Sequence, residues 1–285
     1  MPPLKILALA VAISAAVAAC ATTTSPTGRT QVIGGVSQQE LNQLGAQAFA
    51  EVKAQKPQST DARQQRDVRC IVDAITRQLP PGWQSGWETA VFADREPNAF
   101  ALPGGKVGVN SGIFTVARNQ DQLAGVISHE IGHVISRHHE ERITRQMGAQ
   151  SAVQLAGVLL GSRYGEGAAN AAMQGGSVLA QTGFLLPGSR EQESEADVVG
   201  QQLMAQAGFD PRGAVVLWQN MIAASSSRPP QWLSTHPNPE NRIRELQQRA
   251  AALASPPTAH PLSASVTAPR PSAPTRSFAA VEVLP

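Results

Sequence analysis

The stretch His129-Glu130-Ile131-Gly132-His133 decides how this 285-residue chain is read. It lies in a run whose apolar positions, Leu123, Val126, Ile127, Ile131, Val134 and Ile135, recur at helical spacing. At about 100° per residue they gather on one face centred near Leu123, Ile127 and Val134. His129 and His133 fall on the far side, one turn apart, where a pair of metal ligands must stand. Glu130 projects from the edge of that face, where it can reach a water beside the metal. Asn119 followed by Gln122 gives the helix a capping-box start. Zinc suits two imidazoles and a carboxylate with a fourth position open to water, whose pKa then falls to roughly 7. Glu130 is expected to act as general base, taking that water's proton as it attacks a peptide carbonyl and returning it to the leaving amine. One zinc ion per chain is implied.

The carboxylate ligand is expected on a second helix. Ser189-Arg190-Glu191-Gln192 reads as a helix start with its own capping box, and Gly208 as the stop. Within Glu193-Ser194-Glu195-Ala196-Asp197, Glu193 and Asp197 share a face, with Ala196 and Gly200 beside them. Those small residues let this helix approach the first. Glu193 is therefore the expected ligand, and Asp197 the residue that orients a ligating imidazole. Glu195 points to the opposite side and reads as solvated. On the same wheel His138 lies on the apolar side, opposite His129 and His133, so it cannot share their metal, and His139 is also turned well away. Both then read as helix-end or core histidines.

These paired motifs, H-E-x-x-H and E-x-x-A-D, resemble a gluzincin metallopeptidase family. It includes HtpX, the CaaX prenyl endopeptidases and the periplasmic BepA/YfgC and LoiP-like lipoproteins. The resemblance covers roughly Ser37 to Leu253. It implies an α+β, mostly helical zincin-type domain with a small β-sheet edging the active-site cleft. By the same resemblance, Asn98, Ala99 and Phe100 form the edge strand to which an extended substrate adds through main-chain hydrogen bonds. An ordinary hairpin is the alternative for that segment. His236, with Arg242, matches the family's loop that reaches the active site. There His236 either polarises the substrate oxyanion or takes the fourth zinc position and holds the enzyme off; the alternative is a histidine at a helix entry before Pro237. The only tyrosine, Tyr164, lies in a Gly-rich stretch, poorly placed to serve the oxyanion. The multiple membrane spans of the prenyl endopeptidases and a helical-repeat extension are both absent from the pattern. The nearer members imply processing or clearance of misfolded or unassembled envelope proteins.

The remaining sequence fits an exported protein. Lys5 and the apolar run Ile6 to Val17 read as a signal segment ending in Val17-Ala18-Ala19-Cys20, similar to a bacterial lipobox. Lipidation of Cys20, cleavage at residue 20 and anchoring to the outer membrane, given Ala21, are the expectations. Ordinary cleavage after Ala16-Val17-Ala18 is the alternative. Residues 21–36 read as a flexible tether, 37–253 as the peptidase domain, and 254–285 as a disordered Pro/Ala/Ser-rich tail. With only Cys20 and Cys70 there is no disulfide framework, and Cys70 reads as a buried thiol. Between Arg145 and Arg190 the only charges are Arg163 and Glu166. That stretch reads either as a surface for membrane or client chains or as Gly/Ala-rich packing. The net charge of +2 and the absence of any Lys/Arg run exclude nucleic acid as a partner. Two functions compete: an active endopeptidase, and a chaperone-like lipoprotein whose zinc site His236 holds closed.

Overall fold

The computed structural model describes residues 21–148, 186–224, 236 and 239–254. The order is β1 (Ala21–Thr24), β2 (Thr30–Ile33), α1 (Gln38–Gln55), α2 (Ala62–Thr76), β3 (Glu88–Phe92), β4 (Ala99–Leu102) and β5 (Lys106–Asn110). Then come α3 (Gln120–Ile135), α4 (described over 138–148), α5 (Leu186–Gln206), α6 (Arg212–Ala223) and α7 (Pro239–Ala254). The architecture is mostly helical, as the resemblance implied, with two small sheets among the described residues where one was expected. By backbone contacts the chain divides into two compact units. One comprises Met1–Ala48, Leu102–Gly104 and His133–Glu195; the other comprises Phe49–Ala101, Gly105–Gly132 and Ala196–Pro285.

In the second unit the sheet has the order β3-β5-β4, with β3 parallel to β5 in the register Glu88↔Lys106 to Phe92↔Asn110. β4 is thus an edge strand. The turn that follows it places Gly104 and Gly105 at φ 77° and 72°, backbone that glycine adopts at no steric cost. Phe49, Phe92 and Phe100 pack ring against ring, with centroids 6.2–6.4 Å apart. Gly108 makes room for this cluster, because a Cβ there would lie 2.2 Å from the Phe100 ring. α2 buries Val68, Ile71, Val72 and Ile75, and Asp61 caps it by accepting from the backbone N–H of Arg63 and Gln64. Cys70 is exposed, which corrects its reading as a buried thiol. It stands about 200° around the helix from Val68, on the outer face.

α3 starts as its sequence foretold. Asn119 Oδ1 accepts from the Gln122 N–H at 2.9 Å, and Gln122 Oε1 accepts from the Arg118 N–H at 2.8 Å. α5 begins at Leu186, three residues before Ser189. Pro187 is acceptable there because the first turn of a helix has no partner for its N–H groups. α5 ends at Gly208, φ 86°, with Phe209 N–H bonded to Met204 C=O and Gly208 N–H to Ala205 C=O, the two bonds of a Schellman stop.

α3 and α5 approach closely through glycine. A Cβ at Gly132 would sit 2.8 Å from the Ala196 carbonyl oxygen, and one at Gly200 would sit 3.0 Å from the His129 nitrogen. Both obstacles are backbone, so neither can swing aside. Gly132→Ala is expected to lower stability by about 1–3 kcal/mol through overpacking. In a thermal melt that is a drop of roughly 2–4 °C per kcal/mol for a domain of this size. An unchanged midpoint would show that the helices are not held at this spacing.

The first unit holds the β1–β2 hairpin, paired antiparallel from Ala21↔Ile33 to Thr24↔Thr30. The expected flexible tether over 21–36 is thus ordered structure. Gln31 is buried and donates to the Ser136 carbonyl at 2.5 Å, and the Gly34 and Gly35 N–H groups donate to Glu140 and Thr144 side chains of α4. Residues 1–20 with Cys20, most of 145–190 and the tail from 255 lie outside the described residues.

Candidate active site

The two histidines of α3 are set by one helix, and each is oriented by a different neighbour. In the second unit, Asp197 of α5 lies 2.9 Å from His129 Nδ1 through its Oδ1. Its carboxylate also receives Arg242 of α7 in a two-pronged contact, Nε to Oδ2 and Nη2 to Oδ1, both at 2.7 Å. Burial by itself would raise the Asp197 pKa, but the charge and hydrogen bonds of Arg242, joined by His129, hold it well below the usual carboxylate range. The guanidinium in turn lies over the Trp218 ring, 4.1 Å from its centroid. An ionised Asp197 keeps the proton on His129 Nδ1 and leaves Nε2 to ligate.

His236 completes this half. Its Nδ1 is 3.2 Å from His129 Nε2, and its Nε2 is 3.4 Å from Glu130 Oε1. Glu130 is buried, 4 % exposed, at the start of the last two turns of α3.

In the first unit, His133 Nε2 faces Glu193 Oε1 at 3.4 Å. The opposite ring nitrogen, Nδ1, is 2.8 Å from Nδ1 of His138. Here the sequence reading needs correction. α3 does not run on: it ends at Ile135, and Arg137 adopts φ 55°, the left-handed backbone usually given to glycine at a helix end. That turn swings His138 back onto His133, so a helical wheel drawn through residue 138 misplaces it. Glu195, expected in solvent, is only 3 % exposed and is 3.1 Å from His138 Nε2. Burial would raise its pKa, but hydrogen bonds from His138, Ser25, Thr27 and Arg29 pull it down to about 2. His139 is held neutral, its pKa pushed down to about 4 by burial and by the nearby Arg142 charge, in keeping with its reading as a structural histidine.

Among the described residues, the group able to hold a metal ion is His129, His133, Glu193 and His236, all buried. The donor chemistry fits zinc: both helix histidines have Nδ1 engaged and present Nε2, and a carboxylate oxygen stands beside one of them. Asn98 and Ala99 stand where the edge strand β4 begins; Asn98 Oδ1 accepts from the Ala99 N–H, and Asn98 C=O accepts from Asn110. Ala99 is buried and the Phe100 ring belongs to the aromatic cluster. Arg29, His138 and Glu195 are the polar residues that the sequence alone did not assign.

Such a donor set beside a buried glutamate serves hydrolysis at a bound metal, and the class it defines is that of the metallopeptidases. Comparison with known proteins agrees: residues 60–250 match peptidase family M48, and the chain belongs to that family. Among its relatives is the mitochondrial metalloendopeptidase OMA1 of Schizosaccharomyces pombe, 40% identical over 164 residues, 57% of this chain and 46% of that protein. The beta-barrel assembly-enhancing protease of Escherichia coli K12 is 35% identical over 159 residues, 54% of this chain and 32% of that protein. A putative beta-barrel assembly-enhancing protease of Vibrio cholerae is 38% identical over 168 residues, 56% and 34% respectively. The chain thus covers less than half the length of these relatives.

Proposed function

We propose that this chain is a zinc-dependent endopeptidase of the bacterial cell envelope that hydrolyses misfolded or unassembled exported proteins. His129, His133 and Glu193 hold one zinc, Asp197 and Arg242 orient His129, and Glu130 is the general base. The observation that carries this reading is the engagement of both histidines at Nδ1, by Asp197 and by His138, which reserves Nε2 of each for a metal. Zinc would supply Lewis acidity to the water and the substrate carbonyl. Glu130 takes the attacking water's proton and delivers it to the departing amine. His236, beside Glu130, donates to the oxygen on which negative charge develops. The substrate lies extended along β4, paired through the backbone near Asn98, Ala99 and Phe100, because β4 is the outer strand of the order β3-β5-β4 among the described residues.

The relatives named beta-barrel assembly-enhancing proteases support the envelope role. The mitochondrial metalloendopeptidases support the chemistry rather than the place. The layout that goes with this role is a signal segment over 1–20, lipidation at Cys20, a peptidase domain over 37–253 and a tail over 254–285, with the protein anchored to the outer membrane. No helix among the described residues is long and apolar enough to cross a membrane.

A second reading has one observation in its favour. His236 lies against both His129 Nε2 and Glu130 Oε1, the position of a side chain that blocks the site. In that reading the protein is a chaperone-like envelope lipoprotein, latent until the His236 segment moves. The deciding assay is casein cleavage by the purified protein, before and after chelation and zinc return, alongside His236→Ala. Zinc-dependent cleavage by the wild type supports the active enzyme. Cleavage by His236→Ala alone supports the latent one. Inactivity of both with zinc bound would sink the endopeptidase reading.

A further inference from the structure

The most extensive buried polar network outside the reacting groups joins the N-terminal hairpin to a ligand histidine. Arg29, in the turn between β1 and β2, donates from Nη1 and Nη2 to the two oxygens of Glu141 at 2.9 and 2.8 Å. Its Nε donates to Glu195 Oε2 at 2.9 Å, and Thr27 Oγ donates to the other Glu195 oxygen at 2.8 Å. Glu195 Oε2 is 3.1 Å from His138 Nε2, and His138 Nδ1 is 2.8 Å from His133 Nδ1. Glu141, His138 and Glu195 are at most 3 % exposed. Charges buried to that degree are strongly destabilising unless paired, so the network must be satisfied along its whole length.

Its proton positions follow from counting donors and acceptors. If His133 Nε2 keeps its lone pair for a metal, a neutral ring carries its proton on Nδ1. The only ring atom facing that proton, His138 Nδ1, must then accept. A neutral His138 therefore carries its own proton on Nε2, which donates to Glu195. With Thr27 donating to one Glu195 oxygen and Arg29 to the other, Glu195 accepts as a carboxylate, and Arg29 supplies the matching charge. Reversing any link puts two N–H groups head to head at 2.8 Å between the histidines, or turns the His133 lone pair away from Glu193.

We infer that Arg29, Glu195 and His138 are positioning residues that fix the tautomer of His133, so that the N-terminal hairpin completes the metal site from outside the helix that carries it. The inference rests on the zinc reading above, because a metal is what claims the His133 Nε2 lone pair; zinc content and ring tautomers are read by separate measurements. The separation in sequence is large: Arg29 and Glu195 are 166 residues apart. No local pattern in the hairpin announces the contact, and its Thr/Ser/Pro/Gly composition points the other way.

Two measurements on the full chain test this. Long-range proton–nitrogen NMR of the zinc-loaded wild type reads ring tautomers directly, without relying on a variant to fold. The expected result is His133 protonated on Nδ1 and His138 on Nε2; His138 protonated on Nδ1 overturns the inference. Competitive zinc titration then compares wild type with Arg29→Gln, His138→Leu and His138→Asn. The first two are expected to weaken zinc binding by about 10–100-fold, the usual effect of losing an outer partner of a metal ligand. His138→Asn, whose amide oxygen can accept from His133 Nδ1, is expected to recover part of the loss. Wild-type zinc affinity in both Arg29→Gln and His138→Leu overturns the proposal. So does equal loss in His138→Asn and His138→Leu, which would mark a packing role. A wild type that binds no zinc removes the zinc reading, whereas one that binds zinc with His138 protonated on Nδ1 overturns only the present inference.

Discussion

Glu130→Gln is expected to lower casein hydrolysis by about 100- to 10,000-fold, the range that a positioned general base contributes. The substitution keeps the volume and one acceptor oxygen of a side chain that is buried and in contact with His236. It removes only the capacity to take a proton. Zinc content should therefore stay at one per chain, since His129, His133 and Glu193 are untouched. Metal analysis run beside the activity assay separates the two outcomes. Retained zinc with lost cleavage assigns Glu130 to the chemistry. Retained cleavage would remove Glu130 from the mechanism, whatever the metal does.

Asp197→Ala should be the most destabilising single change in the site. The Asp197 carboxylate and the Arg242 side chain are 2 % and 4 % exposed, and their contact is two-pronged. Deleting the carboxylate leaves a buried guanidinium with no counter-charge, at a cost of about 3–5 kcal/mol. It also takes away the acceptor that holds the proton on His129 Nδ1, which should weaken zinc by about 10–100-fold. Thermal melts in the presence of chelator read the first effect free of the second. Arg242→Met on the Asp197→Ala background should regain part of the lost stability, because a thioether chain can lie on Trp218 without an unpaired charge. If Asp197→Ala melts within a degree or two of the wild type, the pair is not the counter-charge that its geometry describes.

The two histidines of α3 are supported by different routes. His129 is held by a carboxylate one helix away, and that carboxylate is locked by Arg242. His133 is held through an intermediary histidine, whose carboxylate partner is locked by Arg29. Each route ends on an arginine, the side chain best able to grip a carboxylate with several donors at once. The α3–α5 approach at Gly132 and Gly200 is what permits the shorter route. A bulkier residue at either position would separate His129 from Asp197.

Local patterning was enough to read the short-range part of this candidate site. Helical periodicity placed His129 and His133 on one face, the Asn119–Gln122 cap marked where α3 starts, and one-turn spacing put Glu193 and Asp197 on one side of α5. Each of those relations spans a few residues and is set by backbone geometry that any such sequence shares. The buried reading of Cys70 was a misreading of the same geometry, since the wheel that buries Val68, Ile71 and Val72 turns it outward. What only the tertiary structure decided is the rest of the polar support. The end of α3 is made by Arg137 in a backbone state where glycine would have been the legible signal, so the return of His138 to His133 was hidden. Glu195 reads as a solvated carboxylate until Arg29 arrives from a hairpin 166 residues away. Whether a charged side chain can be buried depends on a partner that no local pattern names, because the penalty of desolvation is offset by contacts made only when the chain has folded.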